Sequence, residues 1–364
     1  MFANSAPAPL TSGKASCNGQ FVSGTGEAYG TFLGDVVQHF RGTGVGINFV
    51  SPMNEPDSSF GPSPCGQEGM QVLPSQRAEV VNGLYDALQA RGLTSSVGII
   101  ADESSSLGNA ENEYASWLPQ VNRVAALAHH TYDFPSDASY TSYISSTNRL
   151  FPGKSTWMTE ICCSLGNPDG SGRGYSEGYD PTIKNALMFS GLVFQSLILA
   201  NETHYDFWTL VSSQLGCAPL TNPSCPIVPN SVGWNDGVIY YDPNYATNGN
   251  FNLYINKHFW AYKHFGNFVK PGSQRRPIIG SDASKFTMAV ASADTYYILA
   301  MNPNTSDSNL TLTFPDAACA TNAFRTSVSE DFAEISGAVK SDSSWVLALE
   351  GTSLTTYVFN RVSC

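Results

Sequence analysis

Between residues 45 and 209 one unit recurs: a short β-branched or apolar run, a polar loop, then a stretch of helical periodicity. The runs 47–53, 97–101, 125–130, 156–159 and 204–209 read as strands. Residues 75–90 and 181–200 read as helices, the first closed by Gly92 as a C-cap. Strands alternating with helices predict a parallel sheet, open or closed. No G-x-G-x-x-G or Walker pattern follows any of these strands, so a nucleotide-binding sheet has no support. Polar, aromatic and acidic residues gather instead where strands end: Asn54-Glu55, Asp102-Glu103, His130 and Tyr132, Glu160, and Trp208. That distribution predicts an α/β fold of the (β/α)8 TIM-barrel type, whose active site lies at the C-terminal ends of its strands. Five strands fall short of eight. Residues 1–5 read as the end of one more, with 32–40 on the helix after it.

The pattern changes towards the C-terminus. Residues 253–269 read as a helix ending at Lys270-Pro271-Gly272. Beyond it, runs 286–290, 296–300, 310–314 and 354–359 alternate with turns, as in a small β-sandwich. The expected division is a barrel over 1–272 and a sandwich side domain over 273–364.

Only 13% of the 364 residues are charged and the formal net charge is −12. Phosphate backbones and anionic membranes reward clustered Lys and Arg, so neither nucleic acid nor a membrane is an expected partner. A neutral polysaccharide is, and the chain is expected to act as a monomer. No apolar run approaches the roughly 20 residues of a membrane span. Eight cysteines and three N-x-[ST] sequons, at Asn201, Asn304 and Asn309, fit a secreted protein. Residues 1–5 do not form a signal peptide.

Hydrolysis of a glycosidic bond needs one carboxyl group to protonate the leaving oxygen and a second carboxylate opposite it. In retaining enzymes the second attacks the anomeric carbon, and the two lie about 5–5.5 Å apart. Glu55, in Ser51-Pro52-Met53-Asn54-Glu55-Pro56, and Glu160, in Trp157-Met158-Thr159-Glu160, each follow a buried run. Either alone is more simply a salt-bridge partner. As a pair, roughly 105 residues apart, they are separated by three βα units of about 30 residues each. Together the two can supply the acid/base and the nucleophile, with no metal or cofactor required.

Around them, Asn54 is placed to hydrogen-bond a sugar 2-hydroxyl, and His130 and Tyr132 to orient the nucleophile or contact the sugar. A hydrogen-bonded structural role for His130 competes closely. Trp208 is placed to floor a subsite, whereas Trp157 reads as core. His129 should face the helices by strand alternation, and Asp102 and Glu103 are secondary cleft candidates.

Those motifs resemble glycoside hydrolase family 30, within the large retaining clan of (β/α)8 glycosidases. Phe2-Ala3-Asn4-Ser5-Ala6-Pro7 resembles its strand-three motif, Asn54-Glu55-Pro56 its acid/base strand, His130-Thr131-Tyr132 strand six, and Val269-Lys270-Pro271-Gly272 the entry to the side sandwich. The resemblance implies Glu55 as general acid/base and Glu160 as nucleophile, a substrate contact for Asn4, and strands one, two and most of three lying upstream of Met1. On that reading the chain alone leaves apolar edges open and is expected to aggregate or be inactive. The nearest likeness is to the fungal endo-β-1,6-galactanase-like branch, with xylanase and β-1,6-glucanase as alternatives. A non-catalytic carbohydrate-binding protein is the alternative of another class. A serine hydrolase fails for want of a G-x-S-x-G elbow. Proximity of the proposed loops pairs Cys17 with Cys65, Cys217 with Cys225 and Cys319 with Cys364, leaving Cys162 and Cys163 unassigned.

Overall fold

The computed structural model describes every residue except 62–66, 122, 168, 170, 176, 281–285 and 363, and at Ser164 the backbone alone. Two compact units emerge, Met1–Ile161 with Leu199–Asp206, and Cys162–Ile198 with Phe207–Cys364.

In the first unit helices α1 (Gly26–Gly42), α2 (Pro74–Ala90), α3 (Leu107–Trp117) and α4 (Asp137–Leu150) alternate with strands β1 (Phe49–Val50), β2 (Gly98–Ser104), β3 (Val124–His130) and β4 (Ser155–Glu160). The strands are all parallel and lie in chain order. Phe2 bridges Ser51 in parallel at one edge, and Tyr205 bridges Met158 in parallel at the other. Six consecutive parallel segments of a (β/α)8 barrel result. The strand expected over 204–209 is thus a single bridge, held by Asp206 N–H to Met158 O at 2.9 Å.

Both faces of this sheet are apolar, as a parallel sheet covered by helices requires. Ile99, Ala101 and Leu127 join Leu84, Leu88, Tyr114 and Trp117 in the helix-side core. Ile100, Ala126 and Ala128 form a smaller cluster with Trp157 on the opposite face. Burial, rather than the weak β propensity of an Ala-His run, explains why β3 is a strand. Helices α1 and α2 touch backbone to backbone, since a Cβ on Gly30 would lie 2.1 Å from Gly83 O. Helix α2 ends as the sequence indicates, with Gly92 at φ +67° and its N–H on Gln89 O.

Asp102, a secondary cleft candidate, turns away from the cleft. Its carboxylate accepts from Arg77 Nη1 of α2 at 2.5 Å and from Trp117 Nε1 of α3 at 2.9 Å.

In the second unit helix α5 (Ile183–Leu199) packs on helix α6 (Lys257–Phe268), with Phe194 on Phe265 and Phe189 on Tyr262. The helix expected from residue 253 begins later. Leu253–Ile255 pairs as a strand with Ile239–Tyr241, and Asn256 caps α6 by accepting from Phe259 N–H. β-Branched and aromatic side chains suit the strand, and Asn is a preferred N-cap.

The C-terminal β-sandwich sets a six-stranded antiparallel sheet, ordered Gln274–Arg276, Thr287–Ala291, Thr295–Asn302, Ser353–Asn360, Cys319–Thr326, Ala333–Ser336, against Ser308–Leu312, Ser344–Leu349 and Val339–Ser341. Ile298, Trp345, Leu347, Tyr357 and Phe359 fill the space between. Cys319–Cys364 and Cys217–Cys225 are bonded as expected, while the unassigned Cys162 and Cys163 bond to each other. Cys17 is disulfide-bonded, and its expected partner Cys65 lies outside the described residues.

Candidate active site

The segment Ser51-Pro52-Met53-Asn54 leaves β1 buried, and Tyr29 of α1 donates its hydroxyl to Pro52 O at 2.8 Å. Glu55 follows at φ +43°, a left-handed conformation that costs a non-glycine residue about 1 kcal/mol or more. Backbone bonds hold it there: its N–H donates to Glu103 O and its carbonyl accepts from Ser58 N–H, both at 2.9 Å. Two residues on, Asp57 accepts from Ser105 N–H at 3.0 Å and from Asn109 Nδ2 at 2.5 Å. The loop carrying Glu55 is therefore stitched to the loop after β2.

Strand β3 ends in two histidines with opposite directions. His129 turns to the helices, edge-on to Tyr143 of α4, and its Nε2 bonds Glu202. His130 turns to the other face, where Nδ1 lies 3.1 Å from Glu55 Oε1 and 4.0 Å from Glu160 Oε1. Tyr132 donates its hydroxyl to Glu160 Oε1 at 2.8 Å. Glu160 is the last residue of β4. An oxygen of Glu55, an oxygen of Glu160 and a ring nitrogen of His130 all lie within 4.8 Å of one another. Only 12% of the Glu55 side chain and 14% of Glu160 remain exposed, which leaves each carboxylate an opening to an incoming ligand.

Among the described residues this trio alone has donor atoms close enough together to hold a cation. Its Nδ1 is engaged with Glu55, and both carboxylates lie on that side of the ring, an arrangement that can work as an acid–base set.

The charges explain the cohesion. Burial opposes protonation of His130, but hydrogen bonds to Glu103 and Glu55 and the charge of Glu160 outweigh it and push the imidazole up to about 10. Burial raises the Glu160 carboxyl, His130 and the Tyr132 hydroxyl pull it back, and the nearby Glu55 charge raises it again, leaving it above the ordinary range. His130 binds its proton more tightly folded than unfolded. The resulting stabilisation is full below pH 6.5 and is lost as pH climbs towards about 10. Urea unfolding is expected to show stability falling by a few kcal/mol across that window. A midpoint that is flat or rises from pH 6.5 to 9.5 contradicts the protonated assignment.

Of the expected site residues, the structure brings together Glu55, Glu160, His130 and Tyr132. Asn54 is buried beside Glu55, and Asn4 is half-buried just past the segment that bridges β1. Trp208 belongs to the second unit and is 45% exposed. Glu103, ranked below the pair, reaches the site: it accepts from Thr159 Oγ1 and lies 3.6 Å from His130 Nε2. Strict alternation along β2 would send Asp102 inward and Glu103 outward, and the register shift between Asp102 and Ser104 reverses that order.

Residues 1–132 match the family model described as O-glycosyl hydrolase family 30. Among solved structures, the catalytic domain of a GH30 xylanase C from Talaromyces cellulolyticus superposes with a TM-score of 0.74 at 17% identity, over 98% of this chain and 75% of that one. A conserved exported protein from Bacteroides fragilis gives 0.75 at 17% identity, over 98% and 75%. An endo-β-1,6-glucanase gives 0.62 at 17% identity, over 96% and 66%. At such identities these likenesses are of fold.

Proposed function

We propose that this chain, whose residues 1–132 match the family 30 model, is a glycoside hydrolase of that family and cleaves β-glycosidic bonds of a polysaccharide with retention of configuration. The observation that carries the reading is the approach of one Glu55 oxygen to one Glu160 oxygen within 4.8 Å, the first from the loop after β1 and the second from the end of β4. An inverting pair stands about 6.5–9.5 Å apart to admit a water between carboxylate and sugar, and the close approach of these oxygens supports the shorter, retaining spacing.

In the first step a Glu160 oxygen attacks the anomeric carbon as the bond to the leaving oxygen breaks, and Glu55 gives that oxygen its proton. In the second, Glu55 takes a proton from water, the water oxygen attacks the same carbon, and Glu160 leaves as carboxylate. Tyr132 holds Glu160 Oε1 in place and His130 offsets the negative charge between the two acids. Asn54 and Asn4 bind sugar hydroxyls in this reading.

β-1,6-Galactan is the first substrate to try, from the family likeness of the strand motifs. Xylan and β-1,6-glucan stand beside it, and the solved structures of similar fold include a xylanase and an endo-β-1,6-glucanase. Secretion is supported by the disulfides and by the exposure of Asn201, Asn304 and Asn309. Among the described residues no helix is long and apolar enough to cross a membrane.

Proton NMR on the active polymer of the three reads the anomer first released, before mutarotation. Two inversions at one carbon give the β-anomer; initial α-anomer excludes the double displacement. Binding without any product from all three would favour the non-catalytic carbohydrate-binding alternative.

A further inference from the structure

His130 sits between three carboxylates. On one side are Glu55, from the loop after β1, and Glu160, from the end of β4, both facing Nδ1. On the other is Glu103, from the end of β2, 3.6 Å from Nε2. Tyr132 packs edge-on to the ring at 6.0 Å, while His129, its neighbour on β3, faces the opposite way with Glu202. Asp102 is engaged with Arg77 on the helix side. The His130 and Glu103 side chains are only 2% and 5% exposed, so water contributes little.

A neutral imidazole has one N–H and serves one side of such an arrangement. An imidazolium has two and serves both. Glu103 provides the charge on the far side, and its own position is over-determined. Thr159 of β4 donates to its carboxylate, and its carbonyl accepts the Glu55 N–H at 2.9 Å.

We infer that Glu103 is a positioning residue for the reaction, keeping His130 doubly protonated so that an Nδ1–H remains directed at the Glu55–Glu160 pair. The backbone bond to Glu55 ties the same residue to the acid/base, so one side chain and one carbonyl register both partners. The ring's tendency to hold its proton up to about pH 10 agrees with this arrangement. His204 senses the Glu103 charge too, and is raised chiefly by its own hydrogen bond to Asp206.

The inference rests on Glu55 and Glu160 being the reacting pair, and its primary test does not depend on that assignment. Nitrogen-15 histidine spectra of the wild-type chain should show His130 as imidazolium at pH 8. A neutral His130 there overturns the inference and leaves the carboxylate pair untouched. In Glu103→Gln the amide cannot stabilise the cation, so His130 should titrate at least ~1 pH unit lower, about a tenfold weaker hold on the proton. A new alkaline limb should appear in the kcat profile, with KM changed less than about twofold because Glu103, 5% exposed, is covered by His130 and Thr159. Thr159→Val, which removes the donor to Glu103, should shift His130 the same way by less and serves if Glu103→Gln does not fold. Unchanged His130 titration and an unchanged pH profile in the folded variants would reduce Glu103 to packing. Wild-type turnover by Glu160→Gln would instead remove the reading of the pair and leave the His130 titration standing.

Discussion

Glu160→Gln is expected to lower turnover of the polymer by at least about 10^4-fold while the chain keeps its fold. The amide matches the carboxylate in shape and still accepts the Tyr132 hydroxyl, so packing around β4 has no reason to change. It cannot act as the anionic nucleophile, and without that bond there is no first intermediate. Glu55→Gln should behave differently. On the polymer the loss is expected at about 10^2- to 10^4-fold, the usual contribution of a general acid. On an aryl glycoside with a good leaving group, bond cleavage needs little protonation and the first step should stay fast. Hydrolysis of the glycosyl-enzyme then slows, because no base activates water. Added azide, a nucleophile that needs no base, should restore turnover of this variant and yield a β-glycosyl azide. The asymmetry between the two variants is what assigns the roles. Near-wild-type activity of Glu160→Gln, or azide rescue of neither, breaks the assignment.

How much of this was legible before the structure can be argued residue by residue. Glu55 and Glu160 each follow a short run that reads as a strand, and parallel strands put their C-terminal ends at one rim. Chain order therefore brought the two acids together without any knowledge of loops. Alternation also separated His129 from His130 correctly. It was silent on which of Asp102 and Glu103 faces the site, because the ladder between β2 and β3 shifts register between Asp102 and Ser104. One extra residue there reverses inward and outward. Glu202, which binds His129, lies 73 residues away in sequence and outside any strand, so no periodicity announced it. The Cys162–Cys163 bond was equally hidden, since adjacency carries no pairing signal. The late start of α6 was readable in principle: Asn256 is a capping residue, and Leu253-Tyr254-Ile255 before it suits a strand better than a helix.

The second large effect concerns the support behind the site. Asp102→Ala is expected to destabilise the chain by about 3–5 kcal/mol, the usual consequence of removing one partner from a buried ion pair. Arg77 and Asp102 are both 0% exposed, and Arg77 Nη1 lies 2.5 Å from Asp102 Oδ2 and 2.6 Å from Glu113 Oε2. Glu113, 27% exposed, is too well solvated to replace Asp102. The substitution also strips acceptors from Trp117 Nε1–H and from the Ser104 hydroxyl. Arg77 Nη2 is buried with no hydrogen-bond partner even in the intact network, so the guanidinium is already incompletely satisfied. For that reason Arg77→Met combined with Asp102→Leu should be more stable than Asp102→Ala alone. Removing both charges also removes the cost of burying them. Urea unfolding of Arg77→Met, Asp102→Leu and the double variant closes the cycle, with an expected coupling of about 1–3 kcal/mol. Additive losses would show that the pair stabilises nothing by its pairing. Asp102 would then matter only as the residue before Glu103, anchoring the end of β2 from which the site is built.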